Sequence, residues 1–392
     1  MNLPKISSYF RPMKIAVNTR FLLKNKLEGF GWFTYETLRR MVAAHPEDEF
    51  IFFFDRPYDA DFIFGKNVTP VVLFPPARHP FLFVWWYEWS VVRALKKYKP
   101  DVFLSTDNFC SLRTSVPTCL ILHDIAWANP QTDARLPWLV HQYYHFFMPR
   151  FLKKADKIIC VSEFVRQDTL RYYPFLNPEK LVVCHNGCRT DFRPLTDEEI
   201  EDVKAKYTEG YPFFVFVGAV HPRKNVHRLI EAFSEMKKRT GRPYKLLIVG
   251  RFAWQTGDVL TAFQNSSYQH DIIFTGYVAD EEVPRIVGAA RAVVYVSLAE
   301  GFGIPILEAM NCDVPVLTSN ITSMPEVAGN AAALVNPYSV SDITDELATL
   351  AIFDDYCERY IRKGRIQREK FSWDKTAATL YDILVSTRKI RK

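Results

Sequence analysis

The sequence predicts an α/β protein made of two doubly wound parallel-sheet domains facing a cleft, and three observations carry that expectation. Short apolar runs alternate with longer amphipathic stretches along the chain, the pattern of βαβ units. The alternation breaks over residues 186–210, a stretch with two glycines, a proline and a cluster of acids, and then restarts. The length of 392 residues accommodates two or three domains of about 150 residues each.

In the first half, strands are expected at 14–18, 50–55, 68–74, 101–105, 118–122, 157–161 and 180–184. Helical patterns occupy 31–44, 81–98, 137–153 and 162–173, the last with Ser162 as N-cap and Glu163 in its first turn. In the second half, strands are expected at 213–217, 245–249, 272–275, 292–296, 314–318 and 332–335. Helices are expected at 225–239, 280–289, 305–312, 341–353, 356–370 and 373–387. The expected division is a domain over 1–190, a linker over 191–210 with a short acidic helix, a second domain over 211–371, and a C-terminal helix over 372–392 crossing back to the first domain.

Composition narrows the classes. A hydrophobic share of 48% excludes disorder and collagen-like sequence. A net charge of +6 suits an anionic ligand or a membrane surface and is too small to argue for nucleic acid. Residues 1–12 show no apolar signal region, and no run reaches the ~20 apolar residues of a membrane span. The odd count of 7 cysteines fits reduced thiols and a cytoplasmic protein. Cys184, His185 and Cys188 have no second ligand pair nearby, and Asp59-Ala60-Asp61 reads as a surface loop, so no metal site is expected.

Four segments can carry chemistry. Glu300-Gly301-Phe302-Gly303-Ile304-Pro305 runs from a strand into a helix that continues through Glu308. Its glycines permit close backbone approach, and the free N–H groups of the helix start suit a diphosphate. Gly218 closes a buried strand, and the following loop delivers adjacent Arg223 and Lys224 to a helix start. Cations are disfavoured there by the helix dipole unless an anion lies between. Gly29-Phe30-Gly31 follows the first strand but has Thr34 where a dinucleotide fingerprint has its third glycine. His123 and Asp124 lie just past a buried strand, where α/β sheets bind ligands.

Together these residues resemble the retaining glycosyltransferases of GT-B fold, family 4 (glycosyl transferases group 1), most closely the mannosyltransferases of polysaccharide assembly. The resemblance runs from about Met13 to Thr387 and rests on 217–225, Ile248–Gly250, 274–278, 300–308, 315–319 and 324–329, with looser support from Gly29–Gly31, His123-Asp124 and 161–163. It implies a hexose, mannose favoured, moved from a nucleoside-diphosphate sugar, GDP-mannose favoured, to a glycan or lipid-linked saccharide, without metal or cofactor. Arg223 and Lys224 would grip the phosphates, adjacent here rather than spaced as is usual in the family, with Ala219 at the other basic position. Glu308 would hold the ribose. Glu300 would meet the transferred sugar together with the N–H groups of Phe302, Gly303 and Ile304, and His123 would contact sugar and phosphate. Val278 would touch the base, Gly29 would admit the diphosphate, and Gly31, Asp124, Gly218 and Gly301 would complete the donor site. Other readings of the same architecture are a nucleotide-sugar epimerase, a sugar-phosphate synthase or an inactive sugar-nucleotide-binding scaffold.

The segment from Phe81 to Trp89, followed by Arg93, Lys96, Lys97 and Lys99, stands out in a chain with 15% aromatic residues. A membrane-facing amphipathic helix beside a lipid-linked acceptor is one reading, and it would place the protein peripherally on the inner face of the membrane. The favoured reading is a buried stripe of Trp85, Trp89, Val92 and Leu95, because helix-on-sheet packing demands one.

Overall fold

The computed structural model describes residues 12–24, 27, 29–77, 80–128, 138–252 and 256–388. The expectations for residues 1–11, Glu28, Pro137 and residues 389–392 lie outside the described residues.

Among the described residues, thirteen strands form two parallel sheets. In the first half these are β1 (Lys14–Asn18), β2 (Glu49–Phe54), β3 (Val68–Val72), β4 (Val102–Ser105), β5 (Thr118–Leu122), β6 (Lys157–Cys160) and β7 (Leu181–Val183). They order as β3-β2-β1-β4-β5-β6-β7. The second half contributes β8 (Phe213–Val217), β9 (Lys245–Val249), β10 (Ile272–Gly276), β11 (Ala292–Tyr295), β12 (Val316–Ser319) and β13 (Ala333–Val335), in the order β10-β9-β8-β11-β12-β13. Winding reverses between β1 and β4 in one sheet and between β8 and β11 in the other. Ligands bind such sheets beyond the carboxyl ends of the strands at these switch points.

Each strand expected from the sequence is present. The core strands are apolar on both faces, as buried parallel strands must be; Phe213, Phe214, Val215 and Phe216 of β8 are all buried. Helix Val226–Thr240 buries Val226, Leu229, Ile230, Phe233 and Met236, a spacing of three and four. It ends where Gly241 takes a left-handed conformation. The acidic helix Asp197–Thr208 starts with a capping box between Thr196 and Glu199. Helices Gly257–Asn265 and Met324–Ala328 are additions to the expected set; they bury too few side chains to show a period.

The segment after β3 departs from expectation. It is not one helix but Pro80–Trp85, a π-helical stretch Trp86–Val91, and Val92–Tyr98. A π-turn shifts the register of the face that a helix presents. Trp86, Tyr87 and Val91 go to the core, while Trp85 and Trp89 remain 52% and 47% exposed. The expected stripe is therefore half wrong: Val92 and Leu95 are buried, the two tryptophans are not.

The last helix, Trp373–Thr387, packs on helix Gly29–Ala44 beside the first sheet. Tyr381 donates to Asp48 at 2.6 Å, Arg40 pairs with Asp374 at 2.7 Å, and Thr376 donates to the carbonyl of His185 at 2.6 Å. A Cβ on Gly187 would lie 2.2 Å from the Trp373 nitrogen, so only glycine lets the helix return here. All seven cysteines are free thiols.

Candidate active site

A cleft of about 500 Å³ lies between the carboxyl ends of the two sheets. Gly29, His123, Asp124, Gly218, Arg223, Lys224, Val278, Glu300, Gly301, Phe302, Gly303, Ile304 and Glu308 all line it. Gly31 does not. It sits in the first turn of helix Gly29–Ala44, where a Cβ would meet the Phe21 carbonyl at 2.8 Å, so its role is packing.

The cationic turn follows from the end of β8. Gly218 and Gly250 adopt φ of 146° and 141°, and a Cβ on Gly250 would reach the Gly218 carbonyl at 2.1 Å. The chain then makes a tight turn over Pro222–Lys224 and passes through left-handed Asn225. The buried Asn225 amide donates to the carbonyls of Val296 and Pro337 at 3.0 and 2.7 Å. The turn is thus tied to the segment that carries Glu300.

Lys224 pairs with Glu300 at 2.7 Å and also donates to the hydroxyl of Tyr295. Arg223 reaches across the cleft to Asp124 at 3.3 Å. Burial alone would raise the Glu300 carboxyl, but Lys224 and Arg223 outweigh it and hold the group at about 2. Burial, with Arg223 alongside, pulls the Lys224 ammonium down against the pull of Glu300. Glu300 is therefore an anion throughout the physiological range and does not store a proton.

The opposite wall is the start of helix Ile304–Asn311. Gly303 at φ 99° is its N-cap, and Pro305 is the second helical residue, one position later than expected. One turn in stands Glu308, whose carboxyl burial pushes up to about 7, with Arg189 pulling the other way. Ser323 donates to the carbonyls of Glu300 and Phe302, which fixes the loop.

His123 is set from the first domain. Its ring stacks on Phe30 at 4.2 Å and meets Phe33 edge-on. Nε2 lies 3.0 Å from the Thr106 carbonyl. A carbonyl only accepts, so Nε2 carries the proton and Nδ1 is left as an acceptor. Burial lowers the imidazole to about 4, so it is neutral.

The domains touch closely. A Cβ on Gly301 would lie 1.7 Å from the His123 carbonyl oxygen. Ser162 donates to the Gly301 carbonyl at 2.6 Å. Glu326 of the second domain accepts from the N–H groups of Glu163 and Phe164 at 2.7 and 2.9 Å, at the start of helix Glu163–Tyr172. It also meets His185 at 2.7 Å. Burial disfavours the Glu326 carboxylate, but these hydrogen bonds hold it below its ordinary range. An acid capping the helix of another domain has no local sequence signal, since the partners stand 163 positions apart. Tyr295, Asn225 and Asp280 are likewise site residues that sequence reasoning passed over, each being one side chain in an ordinary strand or loop.

Two family models match the chain: "Glycosyltransferase Family 4" over residues 27–192 and "Glycosyl transferases group 1" over residues 197–367. The chain belongs to the family 4 glycosyltransferases. Among relatives, the O-antigen chain mannosyltransferase B of Escherichia coli is 34% identical over 226 residues, which is 57% of this chain and 58% of that protein. The serotype-specific mannosyltransferase WbdA of Escherichia coli is 28% identical over 304 residues, 74% of this chain and 37% of that protein. The chain thus matches little more than half of the first relative's length and about a third of the second's. Among solved structures, WaaG, a glycosyltransferase involved in lipopolysaccharide biosynthesis, superposes with a TM-score of 0.76 at 16% identity, covering 94% of this chain and 99% of that one. HepE of Anabaena, solved with UDP and glucose, gives 0.72 at 17% identity, covering 95% and 100%. These likenesses establish the GT-B fold of the family 4 glycosyltransferases for this chain.

The Gly301–His123 contact predicts that Gly301→Ala keeps both sheets folded but holds the domains apart. Small-angle scattering should show a larger radius of gyration than wild type, with unchanged circular dichroism and nucleotide affinity reduced at least about ten-fold. An unchanged radius would contradict the steric argument.

Proposed function

We propose that the protein transfers a hexose, mannose favoured, from a nucleoside-diphosphate sugar to a glycan or lipid-linked saccharide in polysaccharide assembly, with retention at the anomeric carbon and without metal. The observation that carries this reading is the adjacent cations Arg223 and Lys224, paired with Asp124 and Glu300, lining the same cleft as the start of helix Ile304–Asn311. As the glycosidic bond breaks, the leaving diphosphate gains negative charge. Two fixed cations and the N–H groups of Phe302, Gly303 and Ile304 face the place where that charge develops. They supply the compensation that a divalent metal gives elsewhere.

The sugar gains oxocarbenium character at the same moment. Glu300, held ionised, stabilises positive charge nearby and accepts from sugar hydroxyls. His123 adds an acceptor through Nδ1. Glu308 accepts from the ribose diol. Asp280 lines the same end of the cleft as Val278. Guanine offers adjacent N–H donors to a carboxylate there and uracil offers one, which supports a GDP donor. The naming of the relatives as mannosyltransferases supports mannose.

A thermal-shift series with GDP, UDP and ADP tests the donor. GDP should give the largest shift; a ligand at 100-fold its Kd stabilises by about 2.7 kcal/mol. Lys224→Ala should lose about 2–5 kcal/mol of nucleotide affinity. Equal affinity in the variant would overturn the phosphate assignment.

Glu300→Gln keeps the shape and removes the charge. Its kcat should fall about 100- to 1,000-fold while nucleotide affinity changes little. A wild-type rate would exclude Glu300 from the reaction.

Glu308 gives a pH signature. Its carboxyl is raised towards about 7, so the ionised form that accepts two ribose hydroxyls is lost as pH falls through that value. Donor kcat/KM should therefore fall on acidification below pH about 7, and Glu308→Gln should flatten that limb of the profile.

A further inference from the structure

The outer flank of the first domain carries an apolar surface that the transfer reaction does not use. The π-helical stretch Trp86–Val91 creates it. Its altered register sends Tyr87 inward, where the phenol donates to Asp107 at 2.7 Å beyond the end of β4. The same shift turns Trp85 and Trp89 outward, with their rings stacked 5.2 Å apart. Leu82, one turn before Trp85, is 40% exposed. Beside them the edge strand β3 presents Val72 at 48% and the following loop presents Phe74 at 82% exposed. Five large apolar side chains thus stand exposed on one flank, far more than scattered surface residues need.

Charge surrounds this patch with one sign. A groove of about 650 Å³ runs between β3 and the helix and is lined by Trp85 and Trp89 with Arg93, Lys96, Lys97 and Arg113. Arg113 lies over the Trp89 ring at 5.1 Å and donates to the Glu88 carbonyl. Glu88 is the acidic residue of the lining, and it is buried, accepting from the N–H of Leu112. Tryptophans flanked by long cationic side chains match the boundary of an anionic bilayer: the rings sit among head groups and the cations reach lipid phosphates. A glycan platform would also need hydrogen-bond acceptors around the rings, and lysine and arginine only donate. The exposed polar groups here are cations, and the Ser90 hydroxyl is already committed to the Phe74 carbonyl.

We propose that this flank, Val72, Phe74, Leu82, Trp85 and Trp89 with Arg93, Lys96, Lys97 and Arg113, is a docking surface for an anionic lipid bilayer. It stands independently of the reaction proposed above. The surface lies on the same domain as His123, on the flank of the edge strand β3.

Flotation of the full-length protein with two kinds of vesicle tests it: phosphatidylcholine alone, and phosphatidylcholine mixed with phosphatidylglycerol. Binding is expected to the mixed vesicles and to weaken at least about ten-fold at high salt, since each lysine near the surface contributes about five-fold. Lys96→Glu with Lys97→Glu should abolish the dependence on anionic lipid. Trp85→Ser with Trp89→Ser should weaken binding at both salt concentrations. All variants should keep the wild-type melting temperature and its shift with GDP, because the changed side chains are exposed and outside the cleft. Failure to float with mixed vesicles, or equal flotation of the tryptophan variant, overturns the proposal. Protection of Trp85 and Trp89 from collisional quenching by soluble oligosaccharide but not by vesicles would do the same, and would make the flank a glycan site.

Discussion

Two cations at the end of one buried strand set the terms for everything around them. Arg223 and Lys224 lose water in the cleft, and an uncompensated buried charge is among the most destabilising features a fold can hold. Glu300 and Asp124 answer that charge, one from each domain. The compensation is left incomplete by the geometry: the cations face an opening rather than a packed wall. A third anion has room beside them, in the cleft that the start of the helix beginning at Ile304 also lines. The loop that holds Glu300 is tied back to the cationic turn through Asn225 and to itself through Ser323. Fixed dipoles that need not reorganise are what makes such a site effective towards developing charge.

Besides the charge of Asp124, the first domain contributes by contact. Gly301 admits the His123 carbonyl, Ser162 bonds the Gly301 carbonyl, and Glu326 caps the helix that begins at Glu163. The return of helix Trp373–Thr387 over Gly187 adds a second bond between the halves. His123 is delivered by this closure. Burial keeps the ring neutral, and the hydrogen bond of Nε2 to the Thr106 carbonyl leaves Nδ1 as the acceptor.

Much of this is legible in the local patterns of the chain. The alternation of apolar runs locates the strands, because a parallel strand buried on both faces is a local apolar run. The glycines, Pro305 and Ser162 mark their turns and caps, because backbone conformation is set by neighbouring residues. The cleft residues are legible for the same reason: ligands meet doubly wound sheets at strand ends, and strand ends are local features. Gly31 shows the limit. It stands two residues from Gly29 in one glycine-rich turn, yet Gly29 lines the cleft and Gly31 packs under Phe21.

The sequence by itself determined the two-sheet architecture, the family and the residues that gather at the cleft. Periodicity and turn chemistry suffice for these, since each acts within a few residues. Tertiary structure alone decided which face of the segment after β3 is buried, that Glu326 caps a distant helix, and that Tyr295 shares Lys224 with Glu300. A single extra residue in a helical turn rotates every later side chain, and no periodic pattern announces it. The tryptophans that spacing assigned to the core consequently stand on the surface, because the core had already been filled by Trp86, Tyr87 and Val91.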